Sequence, residues 1–380
     1  MDFSFTEEQE LTRKMVREFA EAEIAPHSAR LDEEQEFPFE IFRKLGELGL
    51  TGVVFPPEYG GAGLATVEYA IVVEEIARVD PGVALSVAAH NSLACNHIFL
   101  AGTEEQKRRY LVPLAKGEKI GTWSLTEPTA GSDAGGTKTR AEKDGDHFIL
   151  NGTKTFATHG SVADVAVVFG VTDPAAKHRG ISAFILEKGM AGFRPGKKEN
   201  KMGCRASDTA ELAMEDCRVP RSQLLGKEGE GFRDAMRVLD GGRISIAAMA
   251  VGTAQGAFEA AVKYARQRQQ FGKAIAEFQA IQFLLADCAT EIEAARWLTM
   301  RAAHLKDQGQ DVNKAGAMAK LYASETAVRV TDKAIQIHGG YGYMKEYPVE
   351  KFHRDAKLTT IGEGTSEIQR LVIARRLLES

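Results

Sequence analysis

The chain has 380 residues, 44% hydrophobic and 27% charged, which is enough apolar content for a large soluble core and enough length for two or three domains. A net charge of -5 gives no basic footprint for nucleic acid, and no run of about 18 apolar residues predicts a membrane-spanning helix. Cys95, Cys204, Cys217 and Cys288 lie far apart without a CxxC pair, so neither a disulfide framework nor a zinc site is expected.

The acidic N-terminus, "MDFSFTEEQE", lacks a signal-peptide pattern. With reduced thiols, this predicts a cytoplasmic protein, or a mitochondrial matrix protein for a processed eukaryotic chain. "TEEQ" at 6–9 fits a capping box, and Leu11, Met15 and Phe19 follow at a spacing of four, predicting one apolar helix face. Ile41, Leu45 and Leu48 predict a second helix. "PPEYGGAGL" is a break, helical periodicity returns at 67–76 and 83–100, and a second "TEEQ" at 103–106 opens another helix. Residues 1–120 therefore read as a helical N-terminal domain.

The texture changes near Ile120. "TKTRAEKDGDHFILNGTKTFA" carries Asp144 with Gly145 and Asn151 with Gly152, both favoured hairpin-turn pairs because such turns need positive φ. "DVAVVFGV", "ISAFILEK" and "AELAMEDCRVP" are short strand-like runs, the last stopped by Pro220. Residues 121–230 read as a mostly β middle domain. From Phe232 the pattern is helical again, with long segments near 232–267, 278–308 and 312–337, a short helix after Pro348 and a final one from Ser366 to Leu378. The longest apolar stretch, "ISIAAMAVGTAQGAF", reads as a buried helix. Residues 231–380 thus form a helical bundle domain, and the order helical, β, helical gives an α+β multidomain chain rather than a doubly wound sheet.

No GxGxxG after a strand, GxxxxGK[ST], HExxH or GxSxG occurs. Three Gly-rich polar stretches remain. "TEPTAGSDAGG" at 126–136 fits a flexible surface loop or a backbone cradle for a planar or phosphate-bearing ligand. "QIHGGYGY" at 336–343 fits a helix C-cap or a second such cradle, and "RQRQQFGK" at 266–273 fits a solvated interhelical turn. In "TTIGEGTSEIQR", Glu363 sits between two glycines, which is ordinary turn chemistry. "SEIQ" at 366–369 also fits a capping box, so a helix N-terminus able to receive an anion follows the glutamate. Burial there would raise its pKa towards the range of a general base.

"LTEPTAGSDAGG", "NGTKTFATHG", "KMGCRASDTAEL", "LDGGRISIAA", "RQQFGK", "QIHGGYGY" and "IGEGTSEIQR" occur in the order seen in the acyl-CoA dehydrogenase family, which the whole chain resembles. The resemblance implies a helical N-terminal domain, a β-barrel-like middle domain and a C-terminal four-helix bundle. It implies FAD, an acyl-CoA substrate and a homotetramer. The implied reaction is α,β-dehydrogenation of a short-chain or branched short-chain acyl-CoA to a trans-2-enoyl-CoA, with electrons passed to an electron-transferring flavoprotein, as in fatty acid β-oxidation. Another flavoenzyme on the same scaffold, an oxidase or nitroalkane-type enzyme, and a noncatalytic flavin- or CoA-binding protein are the alternatives.

Site roles follow by matching motif positions. Glu363 would be the base, its backbone N–H and a flavin ribityl hydroxyl polarising the thioester carbonyl. Trp123, Ser124, Leu125, Thr126, Glu127, Pro128, Thr129, Ala130, Gly131 and Ser132 would line the flavin, and Ser132 would also touch substrate. Phe156, Ala157 and Thr158 would flank the ring system; many relatives carry Trp at the position of Phe156. Arg268, Phe271 and Gln279, with Gln336, Ile337, His338, Gly339 and Gly340, would hold the adenine and diphosphate end from a neighbouring subunit. Thr365, Ser366 and Glu367 would close the flavin site. Asp240, Gly241, Gly242, Arg243 and Gly364 would contact the acyl-CoA, and no metal is implied. Some family branches carry the base where this chain has Gly242. Many straight-chain enzymes carry Tyr where it has Gly362, so a wider acyl pocket is expected here.

Overall fold

A computed structural model describes residues 4–379; residues 1–3 and Ser380, the outer ends of the expected first and last domains, lie outside the described residues. The N-terminal part holds α1 (Glu7–Phe19), α2 (Ser28–Glu34), α3 (Phe39–Glu47), α4 (Thr66–Ala77), α5 (Pro81–Ala89), α6 (Asn96–Ala101), α7 (Glu104–Gln106) and α8 (Val112–Ala115). Both capping boxes form: Thr6 with Gln9 and Thr103 with Gln106 exchange side-chain and backbone hydrogen bonds.

The apolar face expected on α1 is not the buried one. Leu11 and Met15 are exposed, and Thr12, Val16 and Ala20 face the core instead. Arg13 and Arg17 set this rotation by reaching the buried Glu75 carboxylate on α4 at 3.1 and 2.8 Å. Leu48 likewise lies exposed at the end of α3, whereas Ile41 and Leu45 are buried.

A π-helical turn, His90–Cys95, joins α5 to α6 into one helical stretch, Pro81–Ala101. That stretch, rather than the "ISIAAMAVG" segment, is long and apolar enough to cross a membrane. Because 83% of its most apolar window is buried inside the protein, it is a core helix. Asp80 caps it, accepting from the backbone N–H of Gly82 and Val83 ahead of a well-placed Pro81.

The middle part is a mixed sheet of β1 (Gly121–Ser124), β2 (Arg140–Asp144), β3 (His147–Thr158), β4 (Val165–Val171), β5 (Ile181–Glu187), β6 (Phe193–Lys198), β7 (Thr209–Pro220) and β8 (Leu224–Leu225). Its order is β6-β7-β3-β2-β4-β5-β8, with β1 parallel to β4. Strands β4 and β5 read as continuous apolar runs because both faces are covered. Val165, Val167 and Phe169 enter the core shared with the N-terminal helices, while Ala166 and Val168 face the opposite core with Phe148 and Leu212.

The two expected turns differ from expectation. The β2–β3 loop centres on Gly145 and Asp146, with positive φ at the glycine only, so it is shifted by one residue. Asn151 and Gly152 lie inside β3 at a bulge, where the missing Cβ lets the strand approach Thr139.

The C-terminal part holds α9 (Gly231–Gln267), a ribbon of β9 (Gln269–Gln270) and β10 (Lys273–Ala274), then α10 (Gln279–Asp307), α11 (Asn313–His338), α12 (Val349–Thr359) and α13 (Ser366–Leu378). Helix α9 packs closely on α4. A Cβ at Gly252 would lie 2.8 Å from Ala77 Cβ, so only glycine allows the approach. One apolar core therefore runs from α1 and α4 into α9, α10 and α11.

Candidate active site

Glu363 and Gly364 carry positive φ, 53° and 92°, in the loop before α13. The glycine adopts this without steric cost; the glutamate does not, and such strain concentrates at functional sites. Two side chains hold the loop. Lys320 Nζ donates to Gly364 O at 2.7 Å, and Gln369 Nε2 donates to the same oxygen at 2.9 Å. The expected "SEIQ" capping box does not form. Thr365 is the cap, accepting from Ile368 N, and Gln369 is drawn back to the loop carbonyls instead.

The Glu363 carboxylate rests against α9 at Gly242, where an added Cβ would overlap Oε2 and lie 3.5 Å from Leu93. A carboxylate from the loop thus occupies the space a side chain on α9 would fill. Oε2 is out of contact with solvent and has no hydrogen-bond partner among the described residues. Burial pushes the Glu363 pKa up to about 7, against the opposing pull of Lys320 and Arg243. The Glu363 backbone N–H makes no hydrogen bond among the described residues, so it is available to a ligand. Gly242, Leu93 and the carboxylate abut a cluster of Ala89, Leu93 and Val238, against which Trp123 and Leu239 pack.

Trp123 on β1 donates from Nε1 to His97 Nδ1 at 3.0 Å, so the His97 proton is on Nε2. Burial lowers the His97 pKa to about 4 and keeps it neutral. Ser124 Oγ is buried without a hydrogen-bond partner among the described residues, and Leu125 enters the core. Thr126 and Thr158 lie side by side with β3 and β1: Thr155 N donates to Thr126 O, and Thr122 Oγ1 donates to Thr158 O at 2.7 Å. A bulge between Lys154 and Ala157 turns Phe156 outward at φ 58°, with its ring 65% exposed while Ala157 is buried. The two expected flavin-flanking segments are therefore adjacent, and they offer an aromatic face.

Glu127 and Ala130 close a tight turn with Pro128 and Thr129 at its exposed tip, and Gly131 and Ser132 follow it into solvent. The Glu127 carboxylate is fully engaged. It accepts from Lys154 Nζ at 2.7 Å, Thr139 Oγ1 at 2.6 Å and the backbone N–H of Lys138 and Thr139. Burial lowers Lys154 to about 8, while these contacts hold Glu127 below the usual carboxylate range, so both are charged at neutral pH. Glu127 anchors the loop rather than presenting its carboxylate to a ligand.

Arg268 shares a second region with Ile337, His338, Gly339 and Gly340, a cleft of about 520 Å³ completed by Tyr264 and Tyr341. The Arg268 guanidinium lies over the Tyr341 ring, and His338 stacks on Tyr264 at 4.2 Å. Phe271 is 93% exposed at the tip of the β9–β10 ribbon, where it and Gly272 both carry positive φ, as a two-residue hairpin turn requires. Gln279 and Gln336 are exposed beside this region. No hydrogen bond or ring contact among the described residues links it to the Trp123 group. Thr365, Ser366 and Glu367 line a third cleft of about 380 Å³ with Arg329 and Lys357, and Ser366 Oγ there is buried with no hydrogen-bond partner among the described residues. Asp240 pairs with Arg243 at 2.7 Å and accepts from Asn313, and Gly241 faces Lys306.

These features fit a dinucleotide bearing a planar ring system. Arg268 would provide a phosphate partner, Ser124 and Ser366 carry hydroxyls without a hydrogen bond among the described residues, and Phe156 offers a ring face. Sequence reasoning passed over Lys320 and Lys154, placed Leu93 and His97 only within a segment, 87–100, expected to line the acyl end, and took Gln369 for part of a helix cap. Lys320 did leave a signal, one lysine in the otherwise apolar and small-residue face of "AGAMAKLYAS".

Three family models match: acyl-CoA dehydrogenase N-terminal domain over residues 6–118, middle domain over 122–217 and C-terminal domain over 229–378. The short-chain specific acyl-CoA dehydrogenase of Clostridium acetobutylicum is 52% identical, covering 99% of this chain and 100% of that protein. Butyryl-CoA dehydrogenase from Megasphaera elsdenii superposes with a TM-score of 0.98 at 47% identity, covering both chains fully. A chain from work on the electron transferring flavoprotein of Acidaminococcus fermentans and flavin-based electron bifurcation superposes at 0.99 with 51% identity, again over both chains fully.

Proposed function

The chain belongs to the acyl-CoA dehydrogenase family, with all three of the family's domains matched, and from that premise we infer that it is an FAD-dependent oxidoreductase of short-chain acyl-CoA. It removes hydrogen across the α,β-bond to give a trans-2-enoyl-CoA and passes the electrons to an electron-transferring flavoprotein. The observation that carries this reading is one carboxylate, Glu363, whose Oε2 is buried against Gly242 without a hydrogen-bond partner and whose backbone N–H is unengaged among the described residues.

The α-C–H of a thioester is a weak acid, so base strength and carbonyl polarisation must act together. With its pKa raised to about 7, the Glu363 carboxylate is a stronger base than an exposed glutamate. Its N–H donates to the thioester oxygen as charge develops there, and the left-handed loop lets side chain and backbone of one residue face the same ligand. FAD, when bound, supplies the hydride acceptor. Arg268 and the 337–340 backbone would hold its diphosphate end. Trp123 to Ser132 (Glu127 as loop anchor), Phe156 and Thr158 would frame the ring, and Asp240 and Arg243 would hold the CoA portion.

Exposed apolar side chains on α10, α13 and the β9–β10 tip, Phe283, Leu371, Leu377 and Phe271, support a homotetramer in which a neighbour completes the dinucleotide site. Bacterial relatives support a cytoplasmic location, and α,β-dehydrogenation of an acyl-CoA would suit a role in fatty acid β-oxidation.

Gly362 has no positive φ, and a side chain there would begin in ordinary contact with Leu358 at 3.6–3.9 Å. A glycine there in place of the Tyr of many straight-chain enzymes would leave room for a branched acyl group. The test is anaerobic bleaching of the flavin by acyl-CoAs of graded length and branching, in wild-type and Gly362→Tyr protein. Bleaching by butyryl-CoA is expected, and Gly362→Tyr should lower kcat/KM for a branched acyl group about 10-fold relative to butyryl. No bleaching by any acyl-CoA, or rapid reoxidation by oxygen with none, would refute the reading in favour of an oxidase or a binding protein.

Gly242→Ala gives a second expectation. Alanine favours the helix by up to about 1 kcal/mol, so the fold persists. Its methyl group displaces the carboxylate, and flavin reduction should slow about 10- to 100-fold with FAD content unchanged. Wild-type rates in this variant would show that Glu363 does not work from its seat on α9.

A further inference from the structure

Lys320 on α11 is fully buried in the body of the bundle, yet it makes one hydrogen bond among the described residues, to Gly364 O at 2.7 Å. An ammonium group left this poorly hydrated is costly, and a neutral side chain would hold one carbonyl more cheaply. Gln369, also fully buried, already grips the same oxygen. Loop geometry alone therefore does not account for a cation at 320.

Its charge has a clear target. Glu363, whose Oε2 has no hydrogen-bond partner among the described residues, is the carboxylate that acts most strongly on it, ahead of Glu367 of α13, although neither closes to an ion pair. The other groups bearing on Glu363 are Arg243 of α9, whose charge is shared with Asp240, and the buried phenol of Tyr69 on α4. Tyr69 is committed to a hydroxyl chain through Ser92 and Ser245 to Gly242 O, and burial raises its pKa, so it stays neutral. Lys320 is thus the cation that touches the catalytic loop itself.

Resting on the dehydrogenase reading above, we propose that Lys320 is a positioning residue for α-proton transfer: it clamps the Gly364 carbonyl so that the Glu363 loop keeps its left-handed turn, and its charge holds Glu363 as the carboxylate. Burial lowers the Lys320 pKa itself to about 8, so this support weakens as the pH rises beyond that value.

The test compares Lys320→Met, Lys320→Gln and Lys320→Arg holoenzymes with wild type. Two readouts are used: the pH profile of flavin reduction by butyryl-CoA, and exchange of the butyryl-CoA α-protons in D₂O followed by NMR. In Lys320→Met, kcat near neutral pH should fall about 10- to 100-fold with little change in KM. The acid limb of the profile should move up by about 1 pH unit, because Glu363 is harder to ionise. Exchange should slow in parallel, and Lys320→Arg should recover the acid limb. If the Met protein does not fold, Lys320→Gln, which keeps a donor and removes the charge, must show the same upward move. A Met or Gln variant with unchanged rate and acid limb overturns the proposal, as does an Arg variant whose acid limb moves as far as that of Met. Wild-type enzyme that neither exchanges nor bleaches would instead overturn the dehydrogenase reading itself.

Discussion

Replacing Glu363 by Gln should leave a folded, flavin-bearing protein whose flavin bleaches about 10²- to 10⁴-fold more slowly with butyryl-CoA in the absence of oxygen. The amide keeps the shape against Gly242 and the backbone N–H of residue 363, but it cannot take a proton. The loss should therefore fall on kcat, with KM nearly unchanged. In the wild-type enzyme the base works as the carboxylate, so the rate should climb with pH through about 7 and level off until Lys320 itself loses its proton near 8.

The same shift has a stability consequence of opposite sign. Because the folded-state pKa is raised, the folded chain binds more protons than the unfolded one between the ordinary carboxylate range and about 7. Glu363 therefore destabilises the protein progressively through that window and fully above it, on the order of 3–4 kcal/mol at about 1.4 kcal/mol per unit. Glu363→Gln should be more resistant to urea than wild type at pH 8 and indistinguishable near pH 4. Full-speed bleaching in the variant would remove Glu363 from the mechanism. Equal urea midpoints at pH 8 would show that its carboxylate is not desolvated.

Lys351→Met should cost about 3–5 kcal/mol, because it strands two buried carboxylates. Lys351 Nζ bridges Asp80 Oδ2 at 3.1 Å and Asp355 Oδ2 at 2.8 Å, and both aspartates are fully buried. Asp80 also caps α5 and accepts from Ser28, while Asp355 accepts from Cys204 N in the segment before β7. Next to them, Arg354 joins Asp32, Glu350 and Met202 O. This clasp ties the N-terminal helices, the edge of the sheet and α12 together, and so fixes the end of the bundle from which the Glu363 loop departs. The two carboxylates hold the Lys351 ammonium well above its usual pKa, and burial raises that of Asp355. Lys351→Met with Asp355→Asn should be less destabilised than Lys351→Met alone, since one stranded charge is gone. Urea midpoints of the single and double variants read this directly. A loss below about 1 kcal/mol in the single variant would show that the clasp does not hold the domains.

Much of the architecture was legible because its signals are local. The Thr6 and Thr103 caps, the long alanine-rich helices and the apolar β-branched strands each declare themselves within a few residues. The Gly-Glu-Gly segment likewise pointed to a turn, and Glu363 and Gly364 do carry the positive φ values of one. Local reasoning went astray where a local signal had two outcomes. Leu11 and Met15 match a helix face as well as Thr12 and Val16 do, and only the pull of Glu75 from α4 chooses between them. "SEIQ" has the letters of a cap, but Gln369 finds better partners in the loop carbonyls.

The sequence by itself therefore determined the elements, their order and the one carboxylate on a glycine-flanked turn. Tertiary structure alone decided that this carboxylate seats at Gly242, that Lys320 reaches its loop and that Lys351 closes the clasp. The physical reason is range: caps and periodicity act within a turn or two of helix, whereas these contacts join residues distant along the chain, and close packing around small residues is what brings them together.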